Sequence, residues 1–227
     1  MSVRIHKEGE NMNTIIEKTI KALQKNNMNA YFASDCKEAV EIAKSLIKEG
    51  DVISHGGSVT LKEAGFTELF KSGKYTYLDR SKPGLTSGEI MDVYRRTFSA
   101  DAYFTSSNAV TQNGELYNVD GNSNRVSAML FGPDKVIVVV GVNKIVSDIA
   151  EATERVKRLA APPNCVRLDK NTYCAKAGHC VTANNPEADF CAGCDSEDRI
   201  CCNYTVMSMQ RNKGRVNVII VNEKLGY

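Results

Sequence analysis

Eight cysteines carry most of the reactive chemistry in this chain. Cys36 stands alone, while Cys165, Cys174, Cys180, Cys191, Cys194, Cys201 and Cys202 crowd one segment. Thiolates bind zinc and iron–sulfur clusters, and the two-residue gap in Cys191-Ala-Gly-Cys194 lets two sulfurs grip one centre. Cys201 follows six residues later, with Cys174 and Cys180 upstream. A zinc ribbon brings two such pairs and this chain has one, which tilts the reading towards a [4Fe–4S] cluster, with zinc as the alternative. The preferred ligands are Cys174, Cys191, Cys194 and Cys201, with Cys180 as the alternate. His179 could replace a cysteine around zinc, Cys202 is too close to Cys201 to add a ligand, and Cys36 and Cys165 read as structural. The plain alternative is a group of partly buried free thiols.

A second set of residues suits binding rather than redox work. Asp51–Ser54 reads as a strand running into His55-Gly56-Gly57-Ser58-Val59-Thr60 and then a helix. A glycine-serine turn there exposes backbone N–H groups to an anion. Ala102–Phe104 is a strand ending in Thr105-Ser106-Ser107-Asn108, and open α/β sheets place ligands at such carboxyl ends. Asp120-Gly121-Asn122 is a turn leading to Asn124 and Arg125, and Lys144 follows the apolar run Val136–Val140. The candidate contacts are therefore Gly56, Gly57, Ser58, Thr60, Ser106, Ser107, Asn108, Asn124, Arg125 and Lys144, with a small anionic metabolite as the expected partner. Arg125 and Lys144 supply charge for a carboxylate or phosphate. Asp120 is the one acid placed to serve as a general base, although a turn-forming Asp is the commoner role. His55 is equally suited to structural hydrogen bonding.

The elements that must position these groups follow an α/β rhythm. Ile15, Ile16, Ile20 and Leu23 recur at helical spacing from Asn13, and residues 1–12 form a patternless polar tail. Asp35 with Glu38, and Thr86 with Glu89, open helices in capping-box style, and Gly50 suits the end of the first of these. One helix carries Leu61, Ala64, Phe66, Leu69 and Phe70, and another runs over 147–160 until Ala161-Pro162-Pro163 ends it. Val136–Val140 is apolar enough to be covered on both faces, and Arg215–Val221 reads as an internal strand that ties the cysteine segment back. Residues 13–227 are thus expected to form one three-layer α/β/α domain around a mostly parallel mixed sheet, with a cysteine-rich segment at 165–202 and a closing strand at 215–221.

Composition excludes several classes. Hydrophobic content of 42% and charged content of 25% are ordinary globular values. A net charge of +2 argues against a nucleic-acid backbone binder. No stretch approaches a membrane span, the first ten residues lack a signal-peptide core, and a cytoplasmic location is expected. The thiols of a cytoplasmic protein stay reduced, which favours metal over disulfides. An oligomer is compatible with all of this.

Gly56-Gly-Ser-Val-Thr-Leu-Lys-Glu-Ala-Gly65, Ser106-Ser-Asn-Ala-Val-Thr-Gln-Asn-Gly114, Asp120-Gly-Asn-Ser-Asn-Arg125 and Gly141-Val-Asn-Lys-Ile-Val146 resemble motifs of the lactate-utilisation (LUD) domain family. Asp195-Ser-Glu-Asp-Arg-Ile-Cys201 and Leu225-Gly226 are similar to its branch with a cysteine-bearing C-terminal segment. The resemblance implies a fold like those of CoA transferases, ribose-phosphate isomerases and glucosamine-phosphate isomerases. It also implies an association with oxidation of lactate or a similar hydroxy acid beside iron–sulfur partner proteins. Against relatives, Val181–Phe190 looks inserted between Cys180 and Cys191, so either cysteine could be the second ligand. CoA transferases of this superfamily use a glutamate before an Asn-Gly pair. Here Gln112 precedes Asn113-Gly114, and a neutral amide cannot form an acyl-enzyme, which argues against covalent CoA transfer. An isomerase or hydrolase of phosphorylated molecules with a structural zinc, or a non-catalytic assembly subunit, are the competing readings.

Overall fold

The computed structural model describes residues 11–227; the polar tail read at 1–12 lies outside them as far as residue 10. The first helix, α1 (Met12–Lys25), begins one residue earlier than its apolar spacing suggests, because the Asn11 side chain caps it by accepting from the Asn13 N–H.

Six strands make the central sheet: β1 (Asn29–Ala33), β2 (Val52–His55), β3 (Thr76–Leu78), β4 (Ala102–Thr105), β7 (Lys135–Gly141) and β10 (Val216–Val221). They lie in the order β1-β10-β7-β4-β2-β3, and every pairing is parallel. The last strand therefore does insert between two earlier ones, since β10 pairs with β1 on one side and β7 on the other. A parallel strand inside such a sheet needs apolar side chains on both faces. Val136, Val138 and Val140 of β7 pack with Val218, Ile220 and α1, while Ile137 and Val139 pack with Ile219, Phe104 and Phe66 on the other side. Each of these fully buried branched side chains contributes about 1.5–3 kcal/mol of burial.

The layer over the second face comes from α2 (Cys36–Ser45), α3 (Val59–Glu63) and α4 (Phe66–Phe70). The helix read from Leu61 to Phe70 is thus two short ones, because Gly65 turns the chain at φ +79°. Asp35 caps α2 through the Glu38 N–H, but Glu38 reaches back to Ser34 instead of to the cap itself. Gly50 is not the stop of α2, which ends at Ser45 with Leu46 as its cap. Instead the Gly50 N–H pairs with the Lys74 carbonyl before β2. α5 (Ser87–Thr97) opens with a complete capping box of Thr86 and Glu89.

The opposite layer holds a second, four-stranded sheet: β5 (Ala109–Thr111), β6 (Leu116–Asp120), β8 (Ile145–Val146) and β9 (Asn203–Met207) in the order β8-β5-β6-β9. β9 attaches the end of the cysteine segment to β6 along Leu116–Asp120. α6 (Asn124–Leu130) also packs on this side through Ala128 and Met129. The helix beginning at α7 (Ile149–Arg155) is not ended by the prolines. It widens to a π turn over Val156–Ala160 and continues as α8 (Ala161–Arg167), with α9 (Tyr173–Ala177) beyond. Pro162 and Pro163 sit in the first turn of α8, where a missing N–H costs little. Among the described residues, no helix is long and apolar enough to cross a membrane.

Candidate functional site

Four adjacent strands of the central sheet deliver their carboxyl ends to one edge. β2 is followed by Gly56-Gly57-Ser58, β4 by Ser106–Asn108, β7 by a 3-10 turn ending in Lys144, and β10 by the chain terminus. A cleft of about 640 Å³ opens there. Gly57, Ser58, Thr60, Ser106, Ser107, Asn108, Asp120, Asn124, Arg125 and Lys144 line it. Of the residues singled out from the sequence, Gly56 alone lies behind the wall, where an added Cβ would stand 2.7 Å from the Tyr103 hydroxyl. The structure brings together segments more than eighty residues apart, as the sheet-edge argument requires.

Their chemistry differs from what residue type alone suggests. The Arg125 guanidinium spends its donors inside the protein. Nε pairs with Asp120 Oδ2 at 3.1 Å, Nη1 donates to the Asn118 side chain and the Ser106 carbonyl, and Nη2 donates to the Asn108 side chain and the Val119 carbonyl. This ties the loops after β4 and β6 together and leaves no N–H for a ligand. Asp120 is equally committed: Oδ2 accepts from Arg125 and Oδ1 from the Ser123 N–H, so it closes a turn. Ser107 donates to the Ala109 and Tyr117 carbonyls, and Ser58 caps α3 by accepting from the Leu61 N–H. With five residues, α3 is too short for its dipole to hold an anion strongly.

Lys144 is different. It is 4% exposed, and among the described residues its ammonium group donates only to the Thr60 hydroxyl at 2.8 Å and the Ser106 hydroxyl at 3.1 Å. No carboxylate pairs with it among the described residues. Burial, reinforced by the Arg155 and Arg125 charges and only weakly opposed by Glu63, pushes its pKa down to about 7. The C-terminal backbone lies over it: a Cβ at Gly226 would stand 2.5 Å from the Thr60 hydroxyl and 3.4 Å from Lys144 Nζ.

Two cations at this edge have no distinctive signal in the sequence. Arg80 lines the cleft, crosses Gly57 so closely that a Cβ there would be 2.5 Å from Nη2, and among the described residues its one hydrogen-bond partner is the Tyr94 hydroxyl. Its buried Nε has no partner among the described residues. Arg80 follows the short edge strand β3, so it stands at a strand's carboxyl end like the other cleft loops. Arg155, also buried, donates to the Asn143 and Asn108 carbonyls from beneath, and burial lowers its pKa to about 10. It closes α7, within the helix read over 147–160.

His55 is a spacer. Nδ1 meets the Gly56 carbonyl at 2.7 Å, which requires Nδ1–H, so Nε2 accepts from the Tyr77 hydroxyl at 2.6 Å. Its ring stacks on Phe70, and burial lowers its pKa and keeps it neutral. The Gln112–Gly114 turn does not reach the cleft. Gln112 accepts from Lys18 of α1, and the Asn113 and Gly114 carbonyls accept from Asn26.

The cysteines form a second, smaller site. Cys174, Cys180, Cys194 and Cys201 line an apolar cavity of about 20 Å³ with Val156, Lys157, Ala161, Val181 and Tyr204. The structure places Cys180 in that wall. Cys191 is exposed and contributes its carbonyl to Arg199, whose guanidinium also holds the Cys194 and Cys201 carbonyls. His179 is not in the wall; its Nδ1 meets the Cys180 carbonyl. Cys165 lies 3.6 Å from Cys174 sulfur to sulfur, and burial pushes its thiol up to about 12. Burial also raises the Cys201 thiol, against the pull of Arg199. Among the described residues, no three His, Cys, Asp or Glu side chains are arranged to hold a single metal ion. Cys201, Val156 and Ala161 line both cavities, so the thiol pocket and the cleft share a wall.

Comparison with known proteins agrees with this architecture. A solved structure of a DUF162 family protein from Deinococcus radiodurans is similar at a TM-score of 0.51 and 15% identity, covering 94% of this chain and 99% of that one. Weaker likenesses are to eIF2B beta from Chaetomium thermophilum (TM-score 0.36, 16% identity, 50% of this chain and 43% of that one) and to the alpha subunit of a malonate decarboxylase from Acinetobacter baumannii (0.34, 13%, 62% and 34%). No curated protein matches the sequence. The family model described as the LUD domain matches residues 16–221, and the chain belongs to the LUD domain family.

Proposed function

We propose that this protein serves in the use of lactate or a similar small hydroxy acid, holding the anion in the cleft beside a thiolate-bound centre. The shared wall of Cys201, Val156 and Ala161 supports this reading, because the cleft and the cysteine pocket border the same three residues. Arg80, with donors still unspent, and Lys144 are the groups that would meet a carboxylate.

The four cysteines of the pocket are of the type that suits thiophilic metal, although no three of them are arranged around one ion as they stand, and Arg199 fixes the backbone around two of them. Cys174, Cys180, Cys194 and Cys201 would hold a [4Fe–4S] cluster, which supplies one-electron chemistry when bound. A structural zinc is the second reading, favoured by the cavity volume of about 20 Å³, which suits one small ion.

Anaerobic purification with iron, sulfide and zinc analysis tests this directly. Iron and sulfide with broad absorbance near ~400 nm support the cluster, and zinc alone supports the second reading. Cys174→Ser or Cys201→Ser should abolish the metal, whereas Cys36→Ser should not. Protein that holds neither metal, with the cysteine variants as stable as the original, would sink the thiolate centre. Thermal stabilisation by lactate but not by sugar phosphates supports the hydroxy-acid assignment, and no shift with either would remove it.

A further inference from the structure

We propose that Lys144 is an imine-forming lysine, condensing with the carbonyl carbon of a small 2-oxo acid bound in the cleft. The proposal rests on the reading of the cleft as an anion site and adds a covalent step to it. Geometry carries the argument. Lys144 is almost fully buried, lines the cleft, and is held by two neutral hydroxyls instead of a carboxylate. A lysine kept for structure in such a place would be given an acid, because an isolated buried charge is costly. Thr60 and Ser106 can accept from the ammonium form. They can equally donate elsewhere when the amine is neutral, since Thr60 also reaches the Leu225 carbonyl and Ser106 the Ser107 carbonyl. Neither protonation state is left without partners. The charged groups facing the amine are Arg155 from α7, Arg125 from α6 and Glu63 from α3, and the two cations outweigh the acid.

The step balances without any further reagent. The neutral nitrogen attacks the 2-oxo carbon, a C–N bond forms, and the carbonyl oxygen leaves as water with the two amine protons. The product imine is protonated from solvent and carries positive charge where Arg125 and Arg155 already crowd, so hydrolysis back to ketone and amine remains accessible. Arg80 also lines the cleft and offers unspent donors to the substrate carboxylate.

The test is reductive trapping on the full chain with pyruvate and sodium cyanoborohydride at pH 7.5, followed by peptide mapping. An amine titrating near 7 is mostly neutral there. An ordinary lysine is neutral about once in a thousand, so the label should favour Lys144 by roughly several hundredfold. Lys144→Arg should remove that label and no other. Label spread evenly over surface lysines, or none on Lys144, overturns the proposal even if the arginine variant fails to fold, because the mapping uses the unmodified chain. Pyruvate that stabilises the protein thermally but is never trapped would refute the imine and leave the anion-binding reading standing.

Discussion

Replacing Lys144 by methionine should stabilise the protein at neutral pH, and the gain should fade as the solution is made alkaline. In the unfolded chain this lysine titrates near its ordinary 10.5, and in the fold near 7. Between these values the unfolded state binds a proton that the folded state does not, so folding must release it. Stability therefore rises with pH across that window and is lost as pH falls towards the folded pKa. Each pH step of one is worth about 1.4 kcal/mol, which makes the full cost of the buried lysine about 5 kcal/mol at pH 7 as a ceiling. Methionine fills similar volume without charge. Thr60 and Ser106 lose a donor but keep carbonyl acceptors, so the offsetting loss is on the order of 1 kcal/mol.

Paired urea titrations of both proteins at pH 7 and pH 9 isolate the lysine, because every other titrating group cancels in the difference. Lys144→Met should be more stable at pH 7, and its advantage should shrink by about 2–3 kcal/mol by pH 9. By thermal melting the same change is roughly 5–10 °C for a chain of this size. A difference that does not move with pH would show that the lysine keeps an ordinary pKa in the fold, and the argument from burial to a neutral amine would fail. The variant should also lose reductive labelling by pyruvate, the stability–function exchange expected of a strained functional residue.

Three other substitutions probe the frame around it. Gly57→Ala puts a methyl 2.5 Å from the tip of Arg80, a flexible end that can swing away. Stability should change by less than ~1 kcal/mol. Stabilisation by carboxylates should fall, and an unchanged ligand shift would remove Arg80 from the site. Gly114→Ala meets backbone instead: its φ is +80° and the new Cβ would lie 2.5 Å from the Ala22 carbonyl carbon of α1. A loss of about 3 kcal/mol or more in urea unfolding is expected, and under 1 kcal/mol would contradict the packing. Arg125→Ala strands Asp120 and four further acceptors, for a loss of about 3–5 kcal/mol by calorimetry. Retained stability there would mean that the guanidinium is not the brace between the two loops.

What the sequence reveals and what it conceals divides along physical lines. β7 and β10 are legible because a strand covered on both faces needs a long apolar run, and Val136–Val140 is one throughout and Val216–Val221 is one apart from Asn217. The capping box at Thr86 is legible because both partners sit in one turn. β5, β8 and β9 are not, since strands of two, three and five residues exist by virtue of their neighbours. The cleft loops were found from strand-end position alone, but the roles inside them were not. Arg125 and Lys144 carry the same formal charge and were given the same task, yet five protein acceptors surround one and two hydroxyls hold the other. Which cation is spent depends on contacts between distant segments, which no local pattern encodes.

The same limit explains the seam between the two cavities. Pro162 and Pro163 lack the N–H groups that would bond the Arg158 and Leu159 carbonyls, and a regular helix would drive their rings into those carbonyls. The chain answers by widening to a π turn over Val156–Ala160, so the helix passes the prolines without stopping. Val156 opens that turn and Ala161 follows it, and with Cys201 they line both the cleft and the thiol pocket. Read locally, the prolines are a stop signal. In the fold they mark the place where the helix is deformed, and the deformed segment becomes the partition between binding site and cysteines. A helix that ended at Ala161 would leave α8 undirected and Cys165 without its packing against Cys174, so the cysteine pocket depends on the helix continuing past them.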